Sequence, residues 1–221
     1  MGILRYMKEE FQVIKERDPA IKSPMEVLLY PTFHVMLSYR RAHKLYLKGH
    51  YFWARFISQR AARKTGIEIH PGAVMGHGIL IDHGCGVVIG ETTVVGDNCT
   101  IYQGVTLGGV GLNKGKRHPT LGSNVTVGAG AKILGAFEVG DNCSIAANAV
   151  LLKPLEDNVT AVGIPARPVK KDGVTIPKVK KSATIEEYQA LKEQVRRMEE
   201  QIRRLETLLA EKEKEETKWQ K

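Results

Sequence analysis

The chain has 221 residues, 43% of them hydrophobic and 26% charged, with a formal charge of +9 at pH 7. That length allows one or two domains with a real core, and the balance is that of a soluble globular protein whose charge suits anionic partners. No apolar run is long enough to span a bilayer and the N-terminus has no signal-peptide core, so a cytoplasmic protein is expected, with neither membrane nor nucleic acid as partner.

Residues 1–66 read as a helical domain. Leu4, Met7, Phe11 and Ile14 form an apolar stripe that stops before Asp18-Pro19. Ser23-Pro24 is an N-cap followed by a first-turn proline, where the missing N–H costs little. Pro31 restarts or kinks the helix, which runs to Lys48 and stops at Gly49. A third helix, about 51–64, leads through Thr65-Gly66 into a repeat.

From Ile69 to Leu151 a long or branched apolar residue recurs every six positions, a spacing that is neither helical nor strand-like. The anchors fall in three runs: Ile69, Met75, Ile81; Ile89, Val95, Ile101, Leu107; Leu121, Val127, Ile133, Val139, Ile145, Leu151. Four residues after an anchor sits a second, often small residue, such as Ala73, Cys85, Cys99, Ala131 or Cys143. One residue earlier comes Gly or Asn, as at Gly72, Gly78, Gly84, Asn98, Gly104, Asn124, Gly130, Asn142 and Asn148. Gly and Asn tolerate positive φ, so each six reads as a short strand and a corner. Three faces, about eighteen residues, close one coil of a parallel β-solenoid, and the anchors supply a little over four coils. All three cysteines fall at the inward small position and read as packing residues in a reducing compartment.

The phase breaks twice, across Asp82–Val88 and across Gly108–Thr120. Polar residues gather at both breaks, Asp82-His83 at the first and Arg117-His118 at the second, and loops on rigid scaffolds often carry function. Counting in sixes also puts Glu68 and His83 on the same face of adjacent coils. A carboxylate accepting from one ring nitrogen would leave the other free to take a proton. The alternative is a merely structural histidine.

After Leu151 the repeat fades, and Pro154, Pro165, Pro168 and Pro177 mark a closing segment and linker rather than another coil. The tail then carries a heptad seam, Tyr188, Leu191, Val195, Met198, Ile202, Leu205 and Leu209, interleaved with Glu, Lys, Arg and Gln. It reads as a short coiled coil between subunits or as a solvated helix folded back on its own domain. Three heptads are marginal alone, so a coiled coil needs pre-assembly by the body.

The stretches IHPGAVMGHGILIDHG (69–84), VVIGET (87–92), VTLGG (105–109), RHP (117–119), VGAGAKILG (127–135) and GIPARPV (163–169) resemble the serine acetyltransferase family of hexapeptide-repeat acyltransferases, in a short bacterial form. The resemblance covers roughly residues 15–170. It implies an α+β fold: an N-terminal helical domain (1–66), a left-handed parallel β-helix (67–170), a linker (171–183) and a C-terminal helix (184–221) available for a coiled coil. It implies transfer of acetyl from acetyl-CoA, as co-substrate, to L-serine, the first step towards cysteine, with no metal.

In the family's pattern His83 matches the general base, and Glu68 stands where the family carries Asp. Asp18, Asp82, Arg117 and His118 match residues that hold serine. Gly109, Ala129 and Ala147 match the pantetheine groove, with Lys132 and Arg167 towards the phosphates of CoA. The resemblance further implies a homotrimer or hexamer and inhibition by L-cysteine. The family's O-acetylserine sulfhydrylase partner docks on a chain-terminal isoleucine; this chain ends Trp219-Gln220-Lys221, so that complex is not expected. Other readings remain open: a hexapeptide acyltransferase with a sugar, antibiotic or amine acceptor; a γ-type carbonic anhydrase using His70, His77, His83 and His118 on zinc; a non-catalytic scaffold.

Overall fold

The computed structural model describes residues 3–111, 114–177 and 185–219. Leu112-Asn113 in the second break, the end of the expected linker with the first residue of the expected tail helix (178–184), and the chain-terminal Gln220-Lys221 lie outside the described residues. The chain divides into two compact units, Met1–Pro177 and Lys178–Lys221.

The first unit opens with α1 (Ile3–Arg17), which ends where Asp18-Pro19 begins. Pro24–Leu29 forms a 3₁₀ turn rather than the start of an α-helix, because Pro31 follows too soon for a full turn to propagate. Ser23 and Glu26 form a capping box at its start, with the Ser23 N–H donating to the Glu26 carboxylate at 2.9 Å. Helix α2 (Pro31–Leu47) starts on Pro31, and Gly49 at φ +80° turns the chain into α3 (Tyr51–Thr65). Gly66 closes α3 in the left-handed conformation, its N–H donating to the Ala62 carbonyl.

A parallel β-solenoid of five coils follows, the architecture expected of a left-handed β-helix. The first coil is β1 (Ile67–Ile69), β2 (Val74–Met75) and β3 (Leu80–Asp82); the second is β4 (Val87–Ile89), β5 (Val94–Val95) and β6 (Thr100–Tyr102). The third is β7 (Thr106–Gly108), β8 (Thr120–Leu121) and β9 (Thr126–Val127); the fourth is β10 (Lys132–Leu134), β11 (Glu138–Val139) and β12 (Ser144–Ile145). The fifth is β13 (Val150–Leu151), a bridge from Leu155 to Val139, and β14 (Val159–Gly163). The closing segment therefore does form another coil, against expectation. It escapes the six-residue count because β14 pairs with β12 sixteen residues back, Ser144 with Thr160. An antiparallel hairpin, β15 (Ala166–Lys171) and β16 (Val174–Thr175), then ends the sheet.

Strand register measures the two phase breaks. Regular neighbours are eighteen residues apart, as Thr120 with Glu138. Ile67 pairs with Val87, twenty on, and Thr106 with Lys132, twenty-six on, so the breaks insert two and eight residues. All thirteen anchors are 4% exposed or less and stack along one core. Each contributes about 1.5–3 kcal/mol by leaving water.

The two-residue insertion explains one correction. Cys85 is exposed rather than inward, because Val87 slides into the inward slot and is fully buried, while Cys99 and Cys143 pack inside as expected. Gly72 also does not take positive φ. Left-handed corners lie on two edges of the prism, at Gly78, Asn98, Asn124 and Asn142 on one and Gly84, Gly104, Gly130 and Asn148 on another. The remaining edge, carrying Gly72, has no such stacked row, though Gly135 turns there at φ +127°, and it is the edge from which the long insertion leaves.

The helices cap the first coil. Val35, Met36 and Tyr39 of α2 join the solenoid core, and Ile14, Val27, Phe33 and Leu37 form a second cluster over Leu80. Arg40, 8% exposed, donates to the carbonyls of Met75 and Gly76, and Tyr39 Oη donates to the Ala73 carbonyl at 2.6 Å. These contacts fix the helical domain to the coil that carries the first break.

The second unit is α4 (Ile185–Trp219). Tyr188, Leu191, Val195, Met198, Ile202 and Leu205 of the heptad seam are all exposed along it. No helix among the described residues is long and apolar enough to cross a membrane.

Candidate active site

The polar residues of the two breaks lie on different edges of the prism. The first edge, between β3 and β4, holds His83 in the inserted pair. Its backbone is left-handed at φ +57°, and its side chain is 73% exposed. A non-glycine residue in that conformation is strained, and such strain clusters at functional sites. His83 Nε2 lies 3.9 Å from Asp82 Oδ2, and neither ring nitrogen makes a hydrogen bond to any described residue.

Asp18 comes to the same edge through α1 and the turn after it. Arg17, its neighbour, pins the end of α1 to the solenoid by donating to the carbonyls of Gly78 (2.8 Å) and Cys99 and to Thr100 Oγ1. The Asp18 carboxylate accepts from Tyr30 Oη and from the Ala20 N–H at 2.8 Å. The Tyr30 hydroxyl, then the Ala20 N–H, hold the Asp18 carboxyl below its usual range, and nearby His83 adds to the effect. In return, Tyr30 is pushed up to about 12 by Asp18, with Asp82 contributing. Asp18, Tyr30, Asp82 and His83 thus form one electrostatic neighbourhood.

Glu68 does not join it. It projects from β1, a different face from β3, and its carboxylate lies 4.0 Å from Arg55 of α3 instead of meeting His83. The inserted pair at the end of β3, which holds His83, is not included in the count in sixes.

The second edge, between the first and second faces, holds Arg117 and His118 at the end of the eight-residue insertion. His118 is 8% exposed, and its Nδ1 accepts from the Thr92 N–H at 3.2 Å with Thr92 Oγ1 at 2.9 Å. The proton therefore sits on Nε2, which has no acceptor among the described residues. Burial, then the charge of Arg117, lowers the His118 pKa and keeps the ring neutral. Arg117 Nη2 pairs with Glu91, whose other oxygen accepts from Tyr46 Oη at 3.0 Å. That pairing, chiefly the Arg117 hydrogen bond, holds the Glu91 carboxyl low. Gly109 packs directly on this pair: a Cβ there would stand 3.0 Å from Arg117 Cγ and 3.2 Å from His118 Nε2.

Sequence reasoning singled out Arg117 and His118 but gave no role to Gly90, Glu91, Thr92, Tyr46 or Tyr30. The stretch VVIGET was the available signal for three of them. Nothing in the chain marks the two tyrosines, because helical spacing does not say which side chain reaches a carboxylate across a domain.

Ala129 and Ala147 stand on the first edge, on successive coils above His83, joined by the Asn148 N–H to the Ala129 carbonyl at 2.8 Å. Gly109 lies on the second edge, apart from them. Lys132 Nζ donates to the Gly104 carbonyl on the first edge, and Arg167 is exposed on β15. The four histidines named for zinc stand on three different edges: His77 bonds Glu9 at 2.7 Å, and His70 Nδ1 accepts from Gly72 N–H at 2.9 Å. Among the described residues there is no group of three or more His, Cys, Asp and Glu placed to hold a metal ion.

Comparison with known proteins gives a consistent picture. The family model described as bacterial transferase hexapeptide (six repeats) matches residues 118–153. The chain is 59% identical over 160 residues to a serine acetyltransferase of Helicobacter pylori, covering 72% of this chain and 94% of that one. A solved serine acetyltransferase of Neisseria gonorrhoeae in complex with serine superposes with a TM-score of 0.72 at 40% identity, over 76% of this chain and 69% of that chain. Another serine acetyltransferase, in complex with cysteine, superposes with a TM-score of 0.74 at 42% identity, over 77% and 66% of the two chains.

Proposed function

The chain belongs to the serine acetyltransferase family, and from that premise we propose that it transfers acetyl from acetyl-CoA to the L-serine hydroxyl with His83 as general base. The observation that carries the assignment of His83 is its open imidazole, strained into solvent beside Asp82 and near Asp18. The imidazole takes the hydroxyl proton as the serine oxygen attacks the thioester carbonyl. Collapse of the tetrahedral intermediate breaks the C–S bond, and the imidazolium returns the proton to the thiolate, leaving O-acetyl-L-serine and CoA. Asp18 and Asp82 face the serine amine, and the open N–H groups of Arg117 with His118 Nε2–H take its carboxylate. For Glu68 to orient His83, it must exchange Arg55 for the imidazole.

The first edge runs from His83 past Ala129 and Ala147, and its small side chains leave room for the pantetheine arm, with Arg167 and Lys132 towards the phosphates. Serine must touch both His83 and Arg117, yet these lie on edges separated by a prism face of about six residues, roughly 20 Å. A second copy of the chain supplying the second edge resolves this, and a closed homotrimer gives each copy the same contact. Two trimers joined as a hexamer leave the same site intact. The heptad helices of the three copies form a parallel coiled coil. L-cysteine, bound in one relative's structure, shares the amine and carboxylate of serine and competes for the site. We keep 1–66, 67–170, 171–183 and 184–221 as the division into domains, linker and tail.

Release of free thiol from acetyl-CoA on adding L-serine tests the reading, and a panel of other hydroxyl acceptors tests its specificity. His83→Ala is expected to lower kcat by about 10²–10⁴-fold. Unchanged turnover in that variant removes His83 as base. Glu68→Gln is expected to lower kcat with both KM values unchanged; wild-type kcat would remove Glu68 from the relay.

A further inference from the structure

We propose that Glu91 and Thr92, braced by Tyr46, are positioning residues that set Arg117 and His118 for the acceptor's carboxylate and thereby select amino-acid acceptors. The inference rests on the acetyl transfer just described and concerns the second edge alone.

Thr92 contacts both residues through their backbones as well as through the His118 ring. Its Oγ1 accepts from the N–H of Arg117 at 3.0 Å and of His118 at 3.1 Å, while its own N–H and hydroxyl both meet His118 Nδ1. The Thr92 carbonyl accepts from Lys116 Nζ at 2.8 Å. One residue therefore fixes the end of the insertion over Lys116, Arg117 and His118 and selects the tautomer that keeps the proton on Nε2. Gly90 completes the cradle, since a Cβ there would collide with Cδ2 and Nε2 of the His118 ring.

Glu91 acts on the guanidinium. It takes Nη2, leaving Nη1 and Nε without an acceptor among the described residues. A guanidinium held along one edge presents its remaining N–H groups as a fork, the geometry that fits a carboxylate. Without Glu91, Arg117 must be immobilised by the substrate itself, at a cost in side-chain entropy. Tyr46 Oη, reaching across from α2 at 3.0 Å, fixes Glu91 in turn. The insertion that emerges from the solenoid is thereby braced by the helical domain.

The test is steady-state kinetics of the full-length chain with L-serine and with 2-aminoethanol, which keeps the amine and hydroxyl but lacks the carboxylate. Glu91→Gln and Thr92→Val are each expected to raise KM for L-serine about tenfold with KM for acetyl-CoA unchanged. The preference for L-serine over 2-aminoethanol in kcat/KM falls by the same factor. Thr92→Ser, which keeps the hydroxyl, restores near wild-type KM, and Tyr46→Phe gives a smaller rise than Glu91→Gln. An unchanged preference for serine over 2-aminoethanol, or equal rises in both KM values, would overturn the proposal. Absence of thiol release by the wild-type chain with L-serine would instead remove the reaction on which it rests.

Discussion

At the scale of single residues, the site depends on groups whose charge is set by one or two neighbours. Asp18 faces solvent, yet the Tyr30 hydroxyl is the largest cause of its lowered pKa. Removing that hydroxyl raises the Asp18 pKa towards the ordinary carboxylate value. The Asp18 carboxylate, proposed to receive the serine amine, is then lost at a higher pH. Tyr30→Phe is therefore expected to move the titration of the Asp18 carboxyl upward in pH, read from its side-chain carboxyl resonance by NMR. A coincident Asp18 titration in the two proteins would remove the Tyr30 hydroxyl as the cause of the shift. Asp82, His83, Arg117 and His118 were legible because polar residues collect where a regular repeat is interrupted. Tyr30 and Tyr46 were not, since each works through a hydroxyl at the end of a side chain whose helix gives no sign of its target. Glu68 was named by a count in sixes, which says nothing of Arg55, the α3 side chain its carboxylate meets in the structure.

Among elements, the docking of α1 on the rest of the helical domain contains a buried carboxyl that resists ionisation. Glu10 is 1% exposed, its Oε2 has no hydrogen-bond partner among the described residues, and burial raises its pKa to about 8 despite the attraction of Arg40. The folded-state pKa lies above the unfolded value, so the contribution to stability is fully present below the unfolded pKa near 4.5. It is lost progressively as pH rises towards 8, because the unfolded chain gives up a proton that the folded chain keeps. Glu10→Gln cannot ionise. Its thermal midpoint should exceed that of the wild-type chain by a margin that opens between pH 4.5 and 8, and a margin independent of pH would contradict the assignment. The solenoid, by contrast, was readable almost coil by coil, because one apolar position in six suffices to define a stacked core. Its last coil was missed, since the anchors there are two residues early.

For the whole molecule, the period of the repeat says how many edges the prism has but not which edges meet when copies associate. The division of the site between two edges therefore emerged only from the register of the strands. The tail is a separate matter. Six apolar seam residues between Tyr188 and Leu205 are exposed on α4, an area of apolar surface that an isolated helix has no reason to keep in a 3–4 rhythm. Three heptads are too short to associate strongly alone, so the proposed coiled coil would add to the proposed assembly of the solenoids rather than create it. In the proposed trimer, a lysine at one seam position would place three like charges at the axis. Ile202→Lys is thus expected to shift dissociation of the oligomer to higher protein concentration in sedimentation equilibrium. Because every proposed site residue lies in the Met1–Pro177 unit, kcat at concentrations where the trimer persists should stay within about twofold of wild type. Association indistinguishable from wild type would leave the seam without a role between copies, and a fall in kcat at full assembly would connect the tail to the site.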